Sequence, residues 1–438
     1  MAIQDIQVDS LVIGAGPAGS AAAIQLAKAG LSVALVDRLA FPRDKVCGDA
    51  LIPDALRALD ELCLKDRVLE KARFLEKIRV YAPNERFIVI PGDCACVPRE
   101  TLDDIIRREA VYRGAQFYAG FNLHAALRAD GAVQGAIFVG QQGQTLTVRA
   151  RVTLLATGAA AEPLKRFSVC ERVSPSAIAA RIYVKADEQF ARHCDYLCIS
   201  FSRTIGRGYG WIFPGPENVF NVGVGYYYDA RSKPPETNVR TLLGEFLSAC
   251  PPAIELIQRS RPLTCLKGAP LRTALGGSRL AAPGLLVIGE AAGMTYSFSG
   301  EGIGKAMESG ILAADVILNS LRNTQTTVAE IARDYSARIR ELFTERFSAY
   351  KIAQDWLSSP TIANLLAWKA NRSPFVQRQL EGFVPRDSRP TPALVPDRCY
   401  ALIDFLNVMM VCGWRLLQNL HRRPNSAETL PHAISITA

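Results

Sequence analysis

The run from Val8 to Asp37 restricts the fold more than any other stretch of the chain. Val8-Asp9-Ser10-Leu11-Val12-Ile13 is short, apolar and β-branched, which suits a strand buried in a parallel sheet. It leads directly into Gly14-Ala15-Gly16-Pro17-Ala18-Gly19. The small residues from Ser20 to Ala29 predict a helix, with Gly30 placed just past its C-cap. Ser32 to Val36 predicts a second strand, ending in Asp37 and Arg38. Strand, glycines, helix, strand and terminal acid stand in the order of a nucleotide-binding βαβ unit. In such a unit Gly14 makes the tight turn and Gly16 admits a pyrophosphate against the backbone. Gly19, beside Ala18, lets helix and sheet pack closely. The helix N-terminus offers free N–H groups to phosphates. Asp37, eighteen residues after Gly19, accepts from a ribose hydroxyl. Glycines also make ordinary turns, but ordinary turns do not account for all five parts together.

That unit fits any dinucleotide, and the second half of the chain narrows it to FAD. Gly284 to Ile288 reads as another buried strand, followed by Gly289-Glu290-Ala291-Ala292-Gly293. Ser299-Gly300-Glu301-Gly302-Ile303 then opens a long helix. An acid at the strand end, Glu290, can take ribityl hydroxyls. A helix starting near Gly302 and Ile303 can aim its N-terminus at the flavin edge where negative charge collects on reduction.

Four segments resemble the geranylgeranyl reductases, a branch of the p-hydroxybenzoate hydroxylase-like flavoproteins. They are the dinucleotide unit, Phe41 to Leu51 with Lys45-Val46-Cys47-Gly48-Asp49, the pair Gly208 to Pro214 and Asn221 to Gly225, and Gly289 to Gly310. The likeness spans most of residues 8 to 320. It implies an α/β fold: a Rossmann-like FAD-binding domain (residues 1–165 and 266–325), an inserted antiparallel-sheet substrate domain (166–265 with part of 66–98), and a helical C-terminal region (326–438). It also implies that Arg99, in Val97-Pro98-Arg99-Glu100, helps hold the flavin, although a surface arginine at a helix start would look the same. Glu290 stands where relatives more often carry Asp, and Ser297 replaces a usual Pro, which marks a divergent member.

The chemistry implied by the resemblance is reduction of carbon–carbon double bonds in an isoprenoid chain. An isolated alkene cannot absorb the incoming negative charge, so hydride delivery needs a positioned acid in an apolar pocket. Cys47 is the first candidate, and a small buried hydrophobe is the plainer reading of the same residue. Tyr209 is a second donor. Trp211, Phe213 and Pro214 read as walls of a substrate channel, with core packing as the competing reading. Arg43 and Lys45 suit either a phosphate or solvent. Cys94, Cys96, His193, Cys194 and Cys198 lack zinc-like spacing, so no metal is expected.

Short alternating runs between Val169 and Thr264, such as Ser176 to Val184 and Val219 to Tyr227, predict antiparallel strands. Beyond Gly310 the spacing of Ile311, Ala314 and Leu318 is helical. Pro385 to Pro396 reads as a loop. Tyr400 to Leu420 reads as a helix that packs on the body, caps the pocket or lies in a membrane interface. A net charge of +9 suits an anionic cofactor, substrate or membrane surface. With no basic tract and no zinc-finger spacing, nucleic acid is excluded as a partner. Eleven scattered cysteines, no spanning segment and an acidic N-terminal stretch predict a cytoplasmic protein, peripheral at most. No second dinucleotide fingerprint is visible, so electrons would come from transient NADPH, ferredoxin or a separate reductase. A flavin-dependent hydroxylase or dehydrogenase, a halogenase (Lys77 lies in a comparable segment) and a non-catalytic FAD binder are the rival readings.

Overall fold

The computed structural model describes residues 3–228, 238–297, 299–321 and 325–373. All described residues belong to one compact unit. The loop expected from Pro385 to Pro396 and the helix expected from Tyr400 to Leu420 lie outside the described residues.

The β-branched Val8–Ile13 run forms the end of an eleven-residue strand, Ile3–Ile13, at the centre of a largely parallel sheet. It pairs in parallel with Val33–Asp37 on one side, Ser10 opposite Val33, and with Thr145–Leu155 on the other. Gln116–Ala119 continues the sheet beyond Val33–Asp37. Leu285–Val287 joins in parallel beyond Thr145–Leu155, returning the chain to this layer from the far half of the sequence. All five residues of Val33–Asp37 are buried, as a continuous apolar run in an interior strand requires.

The first helix begins at Pro17 rather than Ser20 and runs to Lys28. Pro17 fits there because the first helical N–H has no intrahelical acceptor to lose. The alanines of this helix are buried on every side, and the Ile303–Leu321 helix crosses it where Gly310 meets the Ala18 carbonyl. Bulkier residues at this crossing would separate the two helices.

A second sheet has the order Ser260–Pro262, Ala177–Ala186, Val219–Tyr227, Gly208–Pro214, Leu197–Ser200, Arg73–Tyr81, Phe87–Cys96, Ala50–Leu51. It is antiparallel as expected, with one parallel pairing between Leu197–Ser200 and Arg73–Tyr81. Strand alternation divides its core. Ile212, Val222 and Val224 point to one face, beneath Val239–Ala249 and Pro251–Gln258, with Leu243, Phe246 and Leu256. Tyr209, Trp211 and Phe213 point to the other, with Leu75, Ile78, Phe201 and Tyr227. The C-terminal part is helical through Val328–Leu357 and Pro360–Ala370. Among the described residues no helix is long and apolar enough to cross a membrane.

Candidate active site

The glycine loop is held in shape by its own chain. Gly14 takes φ +105°, a conformation that disfavours a side chain, and its N–H donates to Val36 O at 2.7 Å. A Cβ on Gly14 or Gly19 would strike backbone, the Ala156 and Gly14 carbonyls respectively. Gly16 is different: the nearest atom to its Cβ position is the Arg43 guanidinium, at 3.6 Å. No side chain caps the helix that starts there, and its first turn carries no acid. Unclaimed N–H groups, an open approach and a nearby guanidinium form a cradle that suits an anionic group such as a pyrophosphate. Asp37 is buried and pins the loop, accepting from Ala15 N–H at 2.8 Å and Leu39 N–H at 2.9 Å. Each of its oxygens keeps a second lone pair. Arg38 is exposed just past the strand end.

The second half of the chain closes over the same end of the sheet. Gly289–Ala292 forms a short 3-10 turn, with Glu290 half-buried and 3.5 Å from Lys45 Nζ. The Gly289 N–H donates to Ser309 Oγ at 2.9 Å, tying the turn to the Ile303–Leu321 helix. Gly302 packs against Thr295, and Gly300, at φ +64°, faces the hydroxyls of Tyr209 and Tyr227. Ile303 is the first residue of the helix. Glu301 caps that helix by accepting from Gly304 N–H at 2.6 Å, while its other carboxyl oxygen is buried without a partner. Burial pushes the Glu301 carboxyl up to about 8; Asp54 and Glu308 add to this, and Lys305 opposes it. A Glu301 held neutral in this way leaves the positive end of the helix facing the loop largely uncompensated.

Trp211 and Phe213 stack at 6.1 Å with Tyr209 6.0 Å beyond, making an aromatic stripe along Gly208–Pro214, which Pro214 ends. The Cys47-Gly48 turn rests on this stripe: a Cβ on Gly48 would lie 2.9 Å from the Phe213 ring. Asn221 fastens it there. Its Oδ1 accepts from Trp211 Nε1–H at 2.9 Å, and its Nδ2 donates to Cys47 O at 2.7 Å and to Asp49 Oδ2 at 2.8 Å. Tyr183 O–H also donates to Asp49 Oδ2. Asp49 Oδ1 is buried without a partner. Burial raises the Asp49 carboxyl to about 6, against the pull of Tyr183, Asn221, Arg181 and Arg99.

Arg99 is buried at the start of the Arg99–Tyr112 helix, so it is not a surface arginine. Its guanidinium grips Asp103 with two bonds of 2.7 and 2.8 Å and lies within reach of the Cys47 thiol. Burial works against the charge, but Asp103 and Cys47 outweigh it and hold Arg99 firmly protonated. Arg43 shares the same Asp103 oxygen at 3.1 Å, so two cations meet one carboxylate. Cys47 itself is half-buried. Tyr209 is less suited to give up a proton. Burial raises its pKa, and its O–H donates to Ser299 O at 2.5 Å.

The polar residues Asp49, Tyr183 and Asn221 do not stand out in the sequence as a group. Asp49 and Asn221 lie inside segments that do, Lys45 to Asp49 and Asn221 to Gly225, but only packing reveals that they bond each other. Lys77 pairs with Asp195 at 2.8 Å, away from the aromatic stripe. Cys94 and Cys96 are core residues, the Cys94 thiol pushed up to about 12 by burial. Among the described residues no three metal-binding side chains cluster.

The FAD binding domain family matches residues 7–240. A menaquinone reductase of Mycolicibacterium smegmatis is 29% identical over 383 residues, covering 84% of this chain and 88% of that protein. A digeranylgeranylglycerophospholipid reductase of Methanopyrus kandleri is 27% identical, over 80% of this chain and 91% of its own. The structure of a geranylgeranyl bacteriochlorophyll reductase-like protein from Thermoplasma acidophilum superposes with a TM-score of 0.74 at 21% identity, covering 92% of this chain and all of that one. A flavin-dependent brominase shares the fold almost as well, with a TM-score of 0.69 at 18% identity over 94% of this chain and all of its own. The fold alone therefore does not choose between reduction and halogenation. The cradle at Gly16, the matched family and the two reductase relatives agree: the chain belongs to the FAD binding domain family of flavoproteins and is an FAD-dependent oxidoreductase related to menaquinone and geranylgeranyl reductases.

Proposed function

We propose that this enzyme reduces carbon–carbon double bonds in the chain of a prenyl lipid. The observation that carries the reading is the Cys47-Gly48 turn, whose Gly48 rests on the Phe213 and Trp211 rings while the half-buried Cys47 packs toward the core beneath the glycine loop, a protonatable group at the junction of the two. The relatives' names, menaquinone reductase and digeranylgeranylglycerophospholipid reductase, point to substrates of the same class. Lys77, engaged with Asp195, lends no support to halogenation.

FAD, when bound, stores two electrons and supplies a hydride. The Gly14–Gly19 loop and Arg43 hold its pyrophosphate, Asp37 its ribose, and Glu290 and Arg99 the portion nearer the ring. Gly300, Gly302 and Ile303 bring a helix N-terminus to the ring's electron-rich edge. Trp211 and Phe213 orient the isoprenoid chain and exclude water. Cys47 donates the proton that must accompany hydride addition to an unactivated alkene. Arg99 then faces the negative charge left on sulfur. Tyr209 shapes the wall and orders the Ser299–Gly300 loop through its bond to Ser299 O. Electrons reach the enzyme from NADPH, ferredoxin or a reductase partner.

The test is to reduce the FAD-loaded enzyme anaerobically with dithionite, remove the excess, and add geranylgeranyl lipids or a menaquinone. Flavin reoxidation is expected with a product two mass units heavier per double bond, the added H2 located on the prenyl chain by fragmentation, since reduction of a quinone ring to the quinol adds the same mass. Reoxidation only by oxygen, yielding a hydroxylated or halogenated product, would overturn the reading.

A further inference from the structure

We propose that Arg181 and Tyr183, two residues apart on the Ala177–Ala186 strand, form a clasp that sets where the Cys47 turn sits. Both are positioning residues for Cys47. The inference rests on the reductase reading above for its effect on turnover, and adds to it the device that holds the proton donor in place.

The segment carrying Cys47 has no regular structure of its own. Between Val33–Asp37 and Ala50–Leu51 the chain forms neither helix nor strand, so side chains fix its course. Three consecutive charged residues tie it to three different elements. Arg43 meets Asp103 on the Arg99–Tyr112 helix at 3.1 Å, Lys45 meets Glu290 of the Gly289–Ala292 turn at 3.5 Å, and Asp44 meets Arg181. Arg43 also lies beside the Gly16 cradle, and Lys45 beside the turn that closes over it, so both are available to the cofactor. The Asp44 tie belongs to the sheet.

That tie is a firm one. Arg181 is fully buried, with its guanidinium 4.2 Å from the centre of the Tyr183 ring and Asp44 as its acid. A buried guanidinium is costly without a carboxylate, so the pair resists opening. Lys267, opposite Arg181 on the neighbouring Lys267–Leu271 strand, takes the other Asp44 oxygen at 2.7 Å.

Strand geometry turns these bonds into a position. Residues two apart on a strand point to the same face, about 7 Å from each other. Arg181 holds Asp44, and Tyr183 O–H holds Asp49 Oδ2. Five residues of chain can span about 17 Å, so the stretch between two grips this close has slack to bow. The bow is the Cys47-Gly48 turn. Register across the sheet decides what it meets. Tyr183 opposes Asn221, which opposes Phe213; in the next row Arg181 opposes Gly223, which opposes Trp211. Gly223 leaves room for the indole, since a Cβ there would lie 2.3 Å from the Trp211 ring. The turn is thus laid from the clasp on one strand toward the rings two strands away. Between them Asn221 Nδ2 donates to Cys47 O at 2.7 Å.

The experiment reads the placement of Cys47 by its reactivity. FAD-loaded wild type, Tyr183→Phe and Arg181→Lys are treated with limiting iodoacetamide, and alkylation at each cysteine is timed by peptide mass spectrometry. In parallel, kcat and KM are measured with a geranylgeranyl lipid. Tyr183→Phe keeps the ring beside Arg181 and removes only the bond to Asp49. Arg181→Lys keeps a charge for Asp44 and loses the planar fork. Each is expected to change the Cys47 alkylation rate by about threefold or more and to lose about ten- to a hundredfold in kcat, with KM within about twofold, because a misplaced donor slows the step while the apolar wall stays. Cys170, half-buried on another segment, should react at the wild-type rate. A folded Tyr183→Phe with wild-type Cys47 alkylation and wild-type kcat overturns the clasp. So does a change at Cys170 equal to that at Cys47, which marks general loosening. Altered Cys47 alkylation in the variants, beside a wild type that reduces no prenyl lipid, upholds the clasp and overturns the reductase reading instead.

Discussion

Glu301 is a carboxylic acid buried where its charge is disfavoured. Its folded-state pKa, near 8, stands well above its ordinary value of 4.5, with burial as the main cause. A carboxyl raised on folding favours the native state least once it is ionised. Stability should therefore fall as pH rises from about 4.5 and level off above about 8. Each tenfold change in proton affinity on folding corresponds to about 1.4 kcal/mol, so the loss amounts to a few kcal/mol. Glu301→Gln mimics the neutral acid and keeps an acceptor for Gly304 N–H. Denaturant melts of the apoprotein between about pH 6.5 and pH 9, above the range in which Asp49 ionises, should slope downward for the wild type and run nearly flat for Glu301→Gln. A parallel slope in both would show that another group carries the effect. Asp54 should behave oppositely. Lys305 and Arg57 overcome its burial and hold it near 2, so its contribution is present above the ordinary carboxyl value and is lost only as pH falls toward 2.

At the scale of elements, the cofactor cradle depends on how closely two helices cross. Ala18 sits in the first turn of Pro17–Lys28, and its carbonyl occupies the space a Gly310 side chain would take. Gly310→Ala is expected to cost about 1–3 kcal/mol from overpacking. It should also weaken FAD retention, because it displaces the helix whose N-terminus is proposed to hold the pyrophosphate. Gly30→Ala is the control. It has φ +88° but nothing near its Cβ position, so it should cost about 1–2 kcal/mol in stability and leave FAD binding alone. Equal FAD affinity in the two variants, measured by fluorescence on flavin release, would sink the link between crossing and cradle. The elements of this region were readable from the sequence because each follows a local rule: β-branched run, glycine turn, small-residue helix, acid. The helix start moved only from Ser20 to Pro17. The Asn221–Asp49–Tyr183 bonds were not readable, since they join residues 134 and 172 positions apart through sheet packing that no local spacing encodes.

At the scale of the molecule, the chain divides its labour between two sheets, one closing around the cofactor cradle and one presenting alternate residues to opposite cores. Alternation along Gly208–Pro214 makes a sharp separation of roles testable within three residues. Trp211 faces the Cys47 turn and bonds Asn221, whereas Ile212 points to the other face, under the Val239–Ala249 and Pro251–Gln258 helices. Ile212→Ala should cost about 2–5 kcal/mol, the usual range for a buried large-to-small change, with chain-length preference for prenyl substrates intact. Trp211→Phe preserves most of the apolar bulk but removes the donor to Asn221 Oδ1, leaving a buried acceptor short of a bond at about 1–3 kcal/mol. Because Asn221 also holds the Cys47 carbonyl, the Trp211 variant should lose kcat and change preference among prenyl chain lengths while staying folded. Melting curves paired with kcat and KM across a series of chain lengths separate the two. If Ile212→Ala altered chain-length preference as much as Trp211→Phe, the aromatic face could not be the surface that meets the substrate.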